Sequence, residues 1–291
     1  MISIVTAYFN RKRLFLRTLQ GLALHYGKID FEVIVVDDGS RQEERLEDLD
    51  TTFPFLRVVR LEPKNKWYMN PCIPFNIGLE LAKGDKIILQ NPECYHYDGI
   101  LEHVEKELQS NKYLAFGCFS LDAKNTDDDQ LFYDRENIDK LININTNVVL
   151  VDGGLGWYNH SKYRPNAYHF CTAIMAEDLV DLGGFDMRYA YGYGYDDDDL
   201  IYRIRQKGMK IDFVDQIKVL HQNHYYKTFD VDDQKVKYQN EKALRNKMIF
   251  NSITERSNIY RANYISINTY KPSLKFSLKR LFRKVYFRLF K

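Results

Sequence analysis

The hydrophobic positions in the first third of the chain form short continuous runs, and segments with helical spacing separate them. Strands are predicted at residues 2–7, 31–36, 56–61 and 86–89, and the first two have the pattern of buried strands. Helices are predicted at residues 13–25 and 74–82, and a charged, helix-like stretch precedes the third strand. Strands that alternate with helices favour an α/β fold, with a parallel sheet and crossover helices. In such a sheet, ligands bind beyond the carboxyl ends of the strands.

The pattern in the rest of the chain is less regular. The polar segment 122–139 is interpreted as a loop or insertion, and a glycine-rich turn is expected at residues 153–157. Short strands are predicted at residues 148–151, 211–214 and 217–220. Apolar, helix-like segments are predicted at residues 176–182 and 200–204, and from about Asp232 the chain becomes helical and charged. We therefore expect a helical extension after the last predicted strand.

Composition places the chain among folded proteins. The 291 residues are 45% hydrophobic and 14% aromatic, which excludes a disordered chain and suffices for one large domain or two small ones. The four cysteines are widely spaced and form no CxxC pair, as expected for reduced thiols in the cytoplasm. The N-terminus has no secretory signal pattern, and the apolar runs are far too short to span a membrane. We expect a soluble or peripheral protein.

The charge is concentrated at the C-terminus. Residues 273–291 carry seven basic residues and no acid, so without them the formal net charge of +2 becomes −5. Leucine and phenylalanine recur there with helical spacing, which predicts a basic amphipathic helix. Such a helix is expected to bind the anionic lipids on the inner face of a membrane. The alternatives are a helix that packs on the body or forms a dimer, with its basic face on a polyanionic acceptor. Nucleic acid is the weaker option, because no recognition module accompanies the helix.

Four consecutive carboxylates, Asp196 to Asp199, are the most unusual feature of the sequence. They follow a tract in which glycine alternates with tyrosine, and apolar segments flank them. The carboxylates repel one another unless a neighbour offsets their charge. Tyr193 offers a flat face that suits a sugar ring, and Gly194 lets the backbone approach a ligand closely. The pattern favours a ligand-handling acidic loop, and the alternative is a solvated acidic turn.

A second acidic pair lies at the end of a predicted strand. Asp37 and Asp38 precede Gly39 and Ser40, where a carboxylate can accept a hydrogen bond from a uracil N3–H or a ribose hydroxyl. The alternative is an Asx turn that ends the strand. Arg11 follows the neighbouring first strand and can meet a diphosphate there, because a guanidinium matches phosphate geometry.

In order and spacing, these segments resemble nucleotide-sugar glycosyltransferases of family 2, which have the GT-A fold. The resemblance is carried by the first strand, the run from Val33 to Ser40 and the segment from Asn76 to Asp85. The tract from Gly183 to Leu200 resembles the acceptor-side motif of β-1,4-galactosyltransferases and polypeptide N-acetylgalactosaminyltransferases. The resemblance implies a GT-A catalytic domain at residues 1–225, which leaves residues 226–291 as a helical C-terminal extension.

The resemblance also implies roles for single residues. Asp37 takes the position that recognises uracil, Asp38 lies near the ribose, and Ala7, Tyr8 and Arg11 fall on the first nucleotide-binding loop.

On the acceptor side, Asp197 takes the position of the general base of related inverting enzymes, and Asp196 precedes it near the sugar or acceptor hydroxyls. Trp157 is a further candidate platform for a sugar, although packing in the core is the more common role of such a residue.

The metal motif of the family is altered in this chain. Asn91, Pro92 and Glu93 stand where Asp-X-Asp is expected. Glu93 supplies a carboxylate for Mn²⁺ or Mg²⁺, and Asn91 supplies only an amide oxygen on the nucleotide side. His221 or His224 is a candidate further ligand, and the alternative is a structural role for both.

We therefore expect an enzyme that transfers a sugar from a nucleotide donor, with a UDP-sugar favoured, to a glycan or lipid-linked acceptor. Inversion and a role in surface polysaccharide or glycoconjugate synthesis follow from the resemblance. The alternative is a nucleotide-sugar- or carbohydrate-binding protein that has lost catalysis, which the altered metal motif suggests. A sugar-nucleotide pyrophosphorylase would need a glycine-rich loop with a lysine near the N-terminus, and the sequence has none.

Overall fold

A computed structural model of the protein describes residues 1–149, 154–224, 233–255 and 260–263. The strands are β1 (Ile2–Tyr8), β2 (Phe31–Asp37), β3 (Leu56–Arg60), β4 (Lys86–Gln90), β5 (Cys94–His96), β6 (Lys112–Ser120), β7 (Gly156–Asn159), β8 (Cys171–Met175) and β9 (Lys210–His221). The helices are α1 (Lys12–Ala23), α2 (Cys72–Leu81), α3 (Ile100–Glu107), α4 (Ala123–Asp127), α5 (Arg135–Asn143), α6 (Ala176–Leu182), α7 (Asp196–Gln206) and α8 (Asp233–Thr254).

Within these ranges the strands form one sheet in the order β3-β2-β1-β4-β8-β6-β9-β5. The first four strands of this order are parallel. Strand β8 runs antiparallel to both β4 and β6, and β9 is parallel to β6. Strand β5 pairs antiparallel with β9, and β7 pairs with the end of β6. The predicted α/β fold with a parallel sheet is confirmed, and its second half is mixed.

Helices cover both faces of the parallel strands. Phe15 and Leu19 of α1 pack in a cluster with Val33 and Val35 of β2. Phe75 of α2 belongs to the cluster on the opposite face, together with Val5 and Leu89. Because β1, β2 and β4 are buried on both faces, their sequences are mainly apolar, whereas β3 at the end of the sheet contains two arginines and is partly exposed. This packing places the carboxyl ends of β1, β2 and β4 along one open edge.

The predicted loop at residues 122–139 is wrong. The chain there forms α4, a 3-10 helix at Asp129–Tyr133 and the start of α5. Asp122 and Asp134 cap the two α-helices by accepting backbone hydrogen bonds of 2.9 and 3.1 Å, and Ile138 and Ile142 bury one face of α5. Helix α5 is therefore amphipathic, and its apolar face is so narrow that the sequence of the segment is mainly polar.

Three other local predictions need correction. The two strands predicted at 211–214 and 217–220 are one strand, β9, whose register with β6 shifts between Phe116 and Gly117. The stretch before β3 forms no α-helix, and its helical structure is limited to the short 3-10 turn Gln42–Glu44. Val148 forms an isolated bridge with Trp157, and residues 150–153 lie outside the described part of the chain. The predicted basic helix at 273–291 also lies outside it.

Candidate active site

Most of the predicted site residues lie at the edge formed by the carboxyl ends of the parallel strands. Arg11 follows β1, Asp37 ends β2, and Glu93 lies between β4 and β5. Strand β8 enters the sheet from this edge, since it is antiparallel to β4, so the residues just before it also lie there. The backbone N–H of Asn91 donates to the carbonyl of Phe170, 3.0 Å away, which joins the end of β4 to the start of β8.

Glu93 is the centre of a buried polar cluster. Its Oε2 accepts a hydrogen bond from Arg11 Nη1 at 2.7 Å. Its Oε1 lies 3.1 Å from His221 Nε2 and 3.4 Å from His224 Nδ1. The pairing of β5 with β9 produces this geometry, because Cys94 is opposite His221. The structure thus brings together the three residues that were predicted as metal ligands.

The charges in this cluster favour an ionised carboxylate and a neutral imidazole. Burial by itself opposes ionisation of Glu93, but Arg11 and the two histidines hold the pKa of this carboxyl well below its usual value. Burial lowers the pKa of His224 to about 4. The ligand atoms of Glu93, His221 and His224 lie within 4.8 Å of one another. One carboxylate and two imidazoles at this spacing fit a divalent cation.

The four carboxylates occupy the first turn of α7, where the sequence predicts a loop. The N-terminal end of a helix stabilises negative charge, which offsets part of their repulsion. Each carboxylate also has its own partner. Asp196 accepts from Asn70 at 2.9 Å, Asp197 from the backbone N–H of His169 at 2.9 Å, Asp198 from Tyr168 at 2.6 Å, and Asp199 from Arg203 at 2.7 Å.

Asp197 combines a fixed position with access from the cleft. Besides the backbone contact, its Oδ1 forms an ion pair with Nδ1 of His169. The imidazole of His169 is held edge-on against Phe75 and Phe185, with ring centroids 4.8 and 5.0 Å away. The side chain of Asp197 is 29% exposed, whereas Asp199 is completely buried. A ligand can therefore reach Asp197 without unfolding the helix.

Asp196 has a different environment from Asp197. Burial and then the neighbouring charge of Asp197 raise the pKa of its carboxyl to about 6. Burial also disfavours protonation of His169, but Asp197 and Asp196 outweigh it, so the pKa of His169 is raised. The negative charge of Asp197 thus favours the protonated forms of both Asp196 and His169.

Asp37 and Asp38, at the end of β2, both accept hydrogen bonds from other residues of the protein. Asp37 is completely buried, with Arg60 at 2.9 Å and the backbone N–H of Ser40 at 2.8 Å. The contact with Ser40 is the Asx turn that the sequence leaves open as the alternative. Asp38 contacts Tyr68 at 2.6 Å and Lys66 at 2.5 Å. The roles of Asp37 and Asp38 in nucleotide binding stay predictions.

The first loop is built around Tyr8. Its side chain is buried, and its hydroxyl donates to the carbonyl of Glu44 at 2.6 Å and accepts the N–H of Arg11 at 3.1 Å. Tyr8 therefore fixes the start of α1, from which Arg11 reaches Glu93. Ala7 is paired with Val36 inside the sheet. A direct contact of Ala7, Tyr8 or Asn91 with a nucleotide stays a prediction.

The candidate sugar-binding residues differ in exposure. Trp157 is only 4% exposed, packs edge-on against Phe119 and donates its indole N–H to the carbonyl of Asn145 at 3.1 Å. Trp157 is therefore a core residue and offers no open face to a sugar ring, which corrects its prediction as a platform. Tyr193 is 36% exposed, and Gly194 adopts a φ of 63° with open space beside it. Tyr193 and Gly194 stay candidates for ligand contact.

Sequence reasoning missed His169 and Asn70. Neither belongs to a motif, and His169 is one of seven histidines in the chain. The signal for His169 is its place just before the apolar run of residues 171–175, which only the antiparallel insertion of β8 brings beside α7.

Comparisons with known proteins identify the family of the chain. The family model described as glycosyl transferase family 2 matches residues 3–164, which is more than half of the chain. The chain belongs to glycosyl transferase family 2. A second model, described as the N-terminal domain of galactosyltransferase, matches residues 134–229 and includes the acidic tract. The predicted resemblance to this family is confirmed. Comparison with curated proteins gives no match.

Solved structures share the fold at low identity. S. aureus TarS 1-349 in complex with UDP has a TM-score of 0.52 and 16% identity, and the match covers 75% of this chain and 59% of that one. S. aureus TarS has a TM-score of 0.50 and 16% identity, with 76% and 36% covered. The mannosyltransferase PcManGT from Pyrobaculum calidifontis, in complex with GDP-Man and Mn²⁺, has a TM-score of 0.48 and 16% identity, with 76% and 56% covered. The matches thus span 36% to 59% of these three structures.

The TarS structures confirm the GT-A fold predicted for this chain. A search of the described residues for helices of sufficient length and hydropathy to cross a membrane found none.

Proposed function

We propose that this protein transfers a sugar from a UDP-sugar to a hydroxyl of a glycan or lipid-linked glycan, with inversion at the anomeric carbon. The observation that carries the proposal is the Asp197 carboxylate, which His169 holds in place at the accessible N-terminal end of α7. It lies at the same edge of the sheet as the Glu93 cluster. A base and a cationic centre at one cleft are what a direct displacement needs.

In the proposed step, Asp197 accepts the proton of the acceptor hydroxyl as its oxygen attacks the anomeric carbon. The new carbon–oxygen bond forms while the bond to the diphosphate breaks, and the nucleoside diphosphate leaves with the electron pair. Because attack and departure occur on opposite faces, the configuration inverts. Asp196, with a carboxyl pKa near 6, is available to hydrogen-bond an acceptor or sugar hydroxyl.

The leaving diphosphate needs positive charge beside it. Arg11 supplies a guanidinium at this edge through its ion pair with Glu93. Glu93, His221 and His224 would hold a divalent cation, and its chemistry there is neutralisation of charge on the diphosphate. Two imidazole ligands favour Mn²⁺ over Mg²⁺, since Mg²⁺ prefers oxygen ligands.

The nucleotide belongs at the ends of β1 and β2 in this proposal. Asp38 is 14% exposed and lies beside Tyr68 and Lys66, whereas Asp37 is buried beneath it. The proposal of a UDP-sugar is supported by the position of Asp37 in the family and by the UDP complex of TarS. Glycoconjugate or surface polysaccharide synthesis is the pathway class that this reaction fits.

The test is a screen of nucleotide sugars followed by one substitution. Binding is measured by calorimetry with and without Mn²⁺, and transfer is measured as release of nucleoside diphosphate with an acceptor panel. We expect Asp197→Asn to bind the nucleotide sugar within about twofold of wild type but to lose about 100-fold or more of transfer.

The matched control is Asp198→Asn, which makes the same change one residue along the turn, and we expect it to keep most of its activity. Near-normal transfer by Asp197→Asn would reject Asp197 as the base. Nucleotide-sugar binding by the wild type without turnover on any acceptor would instead favour the binding-protein alternative.

A further inference from the structure

The segment between α6 and α7, residues 183–195, is fastened to the C-terminal extension by side-chain amides. Asn246 of α8 donates from Nδ2 to the carbonyls of Tyr189 and Gly194, at 3.1 and 2.9 Å. Farther along the extension, Asn263 donates to the carbonyls of Gly183 and Phe185, at 2.9 and 2.7 Å. These contacts satisfy backbone carbonyls of a segment that has little regular structure of its own.

Asn246 is built into this segment. Its side chain is completely buried, and a Cβ atom on Gly192 would lie 2.2 Å from its Oδ1. A glycine at position 192 is therefore what lets α8 approach. Phe250, one turn farther along α8, packs against Tyr195 and against Tyr202 of α7, with ring centroids 5.8 and 6.1 Å away.

The Gly194 carbonyl accepts hydrogen bonds from two side-chain amides, those of Asn246 and Asn70. Asn70 donates to this carbonyl at 3.3 Å and to Asp196 Oδ1 at 2.9 Å. Tyr195 follows in the left-handed region, with a φ of 67°, and α7 begins at the next residue. The orientation of the Gly194 peptide therefore sets the direction in which the first turn of α7 presents Asp196 and Asp197.

We propose that Asn246 is a positioning residue for the acceptor side of the site, so that the C-terminal extension forms part of the catalytic unit. The inference rests on the proposed function only for the role of Asp197; the fastening of the segment is independent of it. Loss of the Asn246 amide leaves the Gly194 carbonyl with Asn70 alone, at the longer distance. The start of α7 then samples more orientations, which lowers the fraction of molecules with Asp197 in place.

The experiment compares Asn246→Ala with Asn251→Ala, which makes the same change at an exposed position of the same helix. Hydrogen exchange is measured on the full chain, and transfer kinetics are measured with the donor and acceptor found in the screen. We expect Asn246→Ala to raise the exchange rates of the amides in residues 192–197 at least tenfold. We also expect its kcat to fall about tenfold while its donor KM changes less than twofold, whereas Asn251→Ala matches wild type.

Several outcomes decide the inference. Unchanged exchange in residues 192–197, or raised exchange with an unchanged kcat, would overturn it. If Asn246→Ala does not fold, Gly192→Ala replaces it, because a methyl there would lie 2.2 Å from Asn246 Oδ1 and 2.5 Å from the Lys242 carbonyl, and so separates α8 from the segment while Asn246 stays in the chain. If the wild type transfers no sugar, the proposed function fails, and the exchange measurement still decides whether α8 holds the segment.

Discussion

Burial favours the protonated form of Asp196, as it also does for Asp198 and Asp199 on the same turn. The Asp196 pKa of about 6 in the folded protein exceeds the value of about 3.9 of an unfolded aspartate. The bound proton therefore stabilises the folded state fully below about pH 4, and this contribution is lost as the pH rises through 6. A shift of about two units corresponds to about 3 kcal/mol.

We accordingly expect Asp196→Asn to be more stable than wild type at pH 7.5, by about 5 °C in Tm, because the neutral amide carries no buried charge. At pH 4 the two proteins should melt together, since both side chains are then neutral. Thermal unfolding at the two pH values measures the difference. Asp50→Asn, at an exposed position, serves as the control and should show neither effect. A Tm difference that does not change with pH would contradict the prediction.

Glu93 is the one carboxylate in the candidate metal cluster, so its charge decides cation binding. We expect Mn²⁺ to raise the Tm of the wild type, because a ligand that binds only the folded state stabilises it. In Glu93→Gln this rise should be reduced to a small fraction, since an amide oxygen is neutral. The control is Glu105→Gln on the exposed face of α3. An equal Mn²⁺ response in both variants would exclude Glu93 as a ligand.

At the scale of residues, the sequence predicts site residues that belong to a motif or follow a strand. It misses single histidines and asparagines that stand outside any motif. Glu93, His221 and His224 come together as predicted, because strand ends concentrate polar residues at one edge. His169 and Asn246 act through geometry that long-range pairing creates, and a single histidine or asparagine carries no such signal. Trp157 is buried in β7, and the glycines before it do not distinguish a tightly packed strand from an exposed loop.

At the scale of elements, α7 joins the acidic turn to the rest of the domain by a buried ion pair. Arg203 is buried, donates to Asp199 at 2.7 Å, and donates to the carbonyls of Leu182 and Gly184 at 2.8 and 2.9 Å. Each end of the pair depends on the other, because an isolated buried charge is very unfavourable. Arg203 therefore anchors the helix that carries Asp197 to the end of α6.

Arg203→Met should lower the free energy of unfolding by about 3–5 kcal/mol, because it leaves Asp199 buried without its partner. Urea unfolding measures this change. The double variant Asp199→Asn/Arg203→Met removes the unpaired charge and should recover part of the loss. Arg205→Met, at an exposed position of the same helix, is the control and should change stability by less than about 0.5 kcal/mol. Equal stabilities of Arg203→Met and Arg205→Met would refute the argument.

The elements that were predicted correctly are those with a strong apolar pattern. Strands β1, β2 and β4 are buried on both faces, so their sequences differ clearly from the helices between them. The errors lie where a narrow apolar face is masked by polar residues, as in α5, or where a strand is irregular, as in β9. Their burial depends on partners far away in the sequence, which local patterns do not contain.

At the scale of the whole molecule, one topological feature assembles the site. The parallel strands place Arg11, Asp37 and Glu93 at a common edge, and the antiparallel strand β8 brings His169 to it from the opposite direction. The first half of the chain thus supplies the predicted nucleotide side, and the second half supplies the predicted acceptor side. The two family models match residues 3–164 and 134–229, so they overlap at residues 134–164.

The charge of the whole chain leads to the last prediction. The basic residues 273–291 lie outside the described part of the structure, and the sequence leaves about five net negative charges on the rest. An anionic lipid surface attracts each basic residue by about 1 kcal/mol and repels an acidic body. Because the rest of the chain is repelled, we expect the binding of this protein to anionic lipid to depend on residues 273–291.

Deletion of residues 273–291 should therefore abolish co-sedimentation with vesicles that contain anionic lipid, while the wild type sediments with them. The attraction is electrostatic, so wild-type binding should also weaken as salt shortens the range of the charges, and vesicles of neutral lipid should bind little. A variant in which Leu274, Leu278 and Leu281 become Ser keeps every charge but loses half of the predicted apolar face. Partial binding by that variant would separate the two contributions. Unchanged sedimentation of the deletion variant would show that the tail is no anchor and would favour its packing on the body or on a second chain.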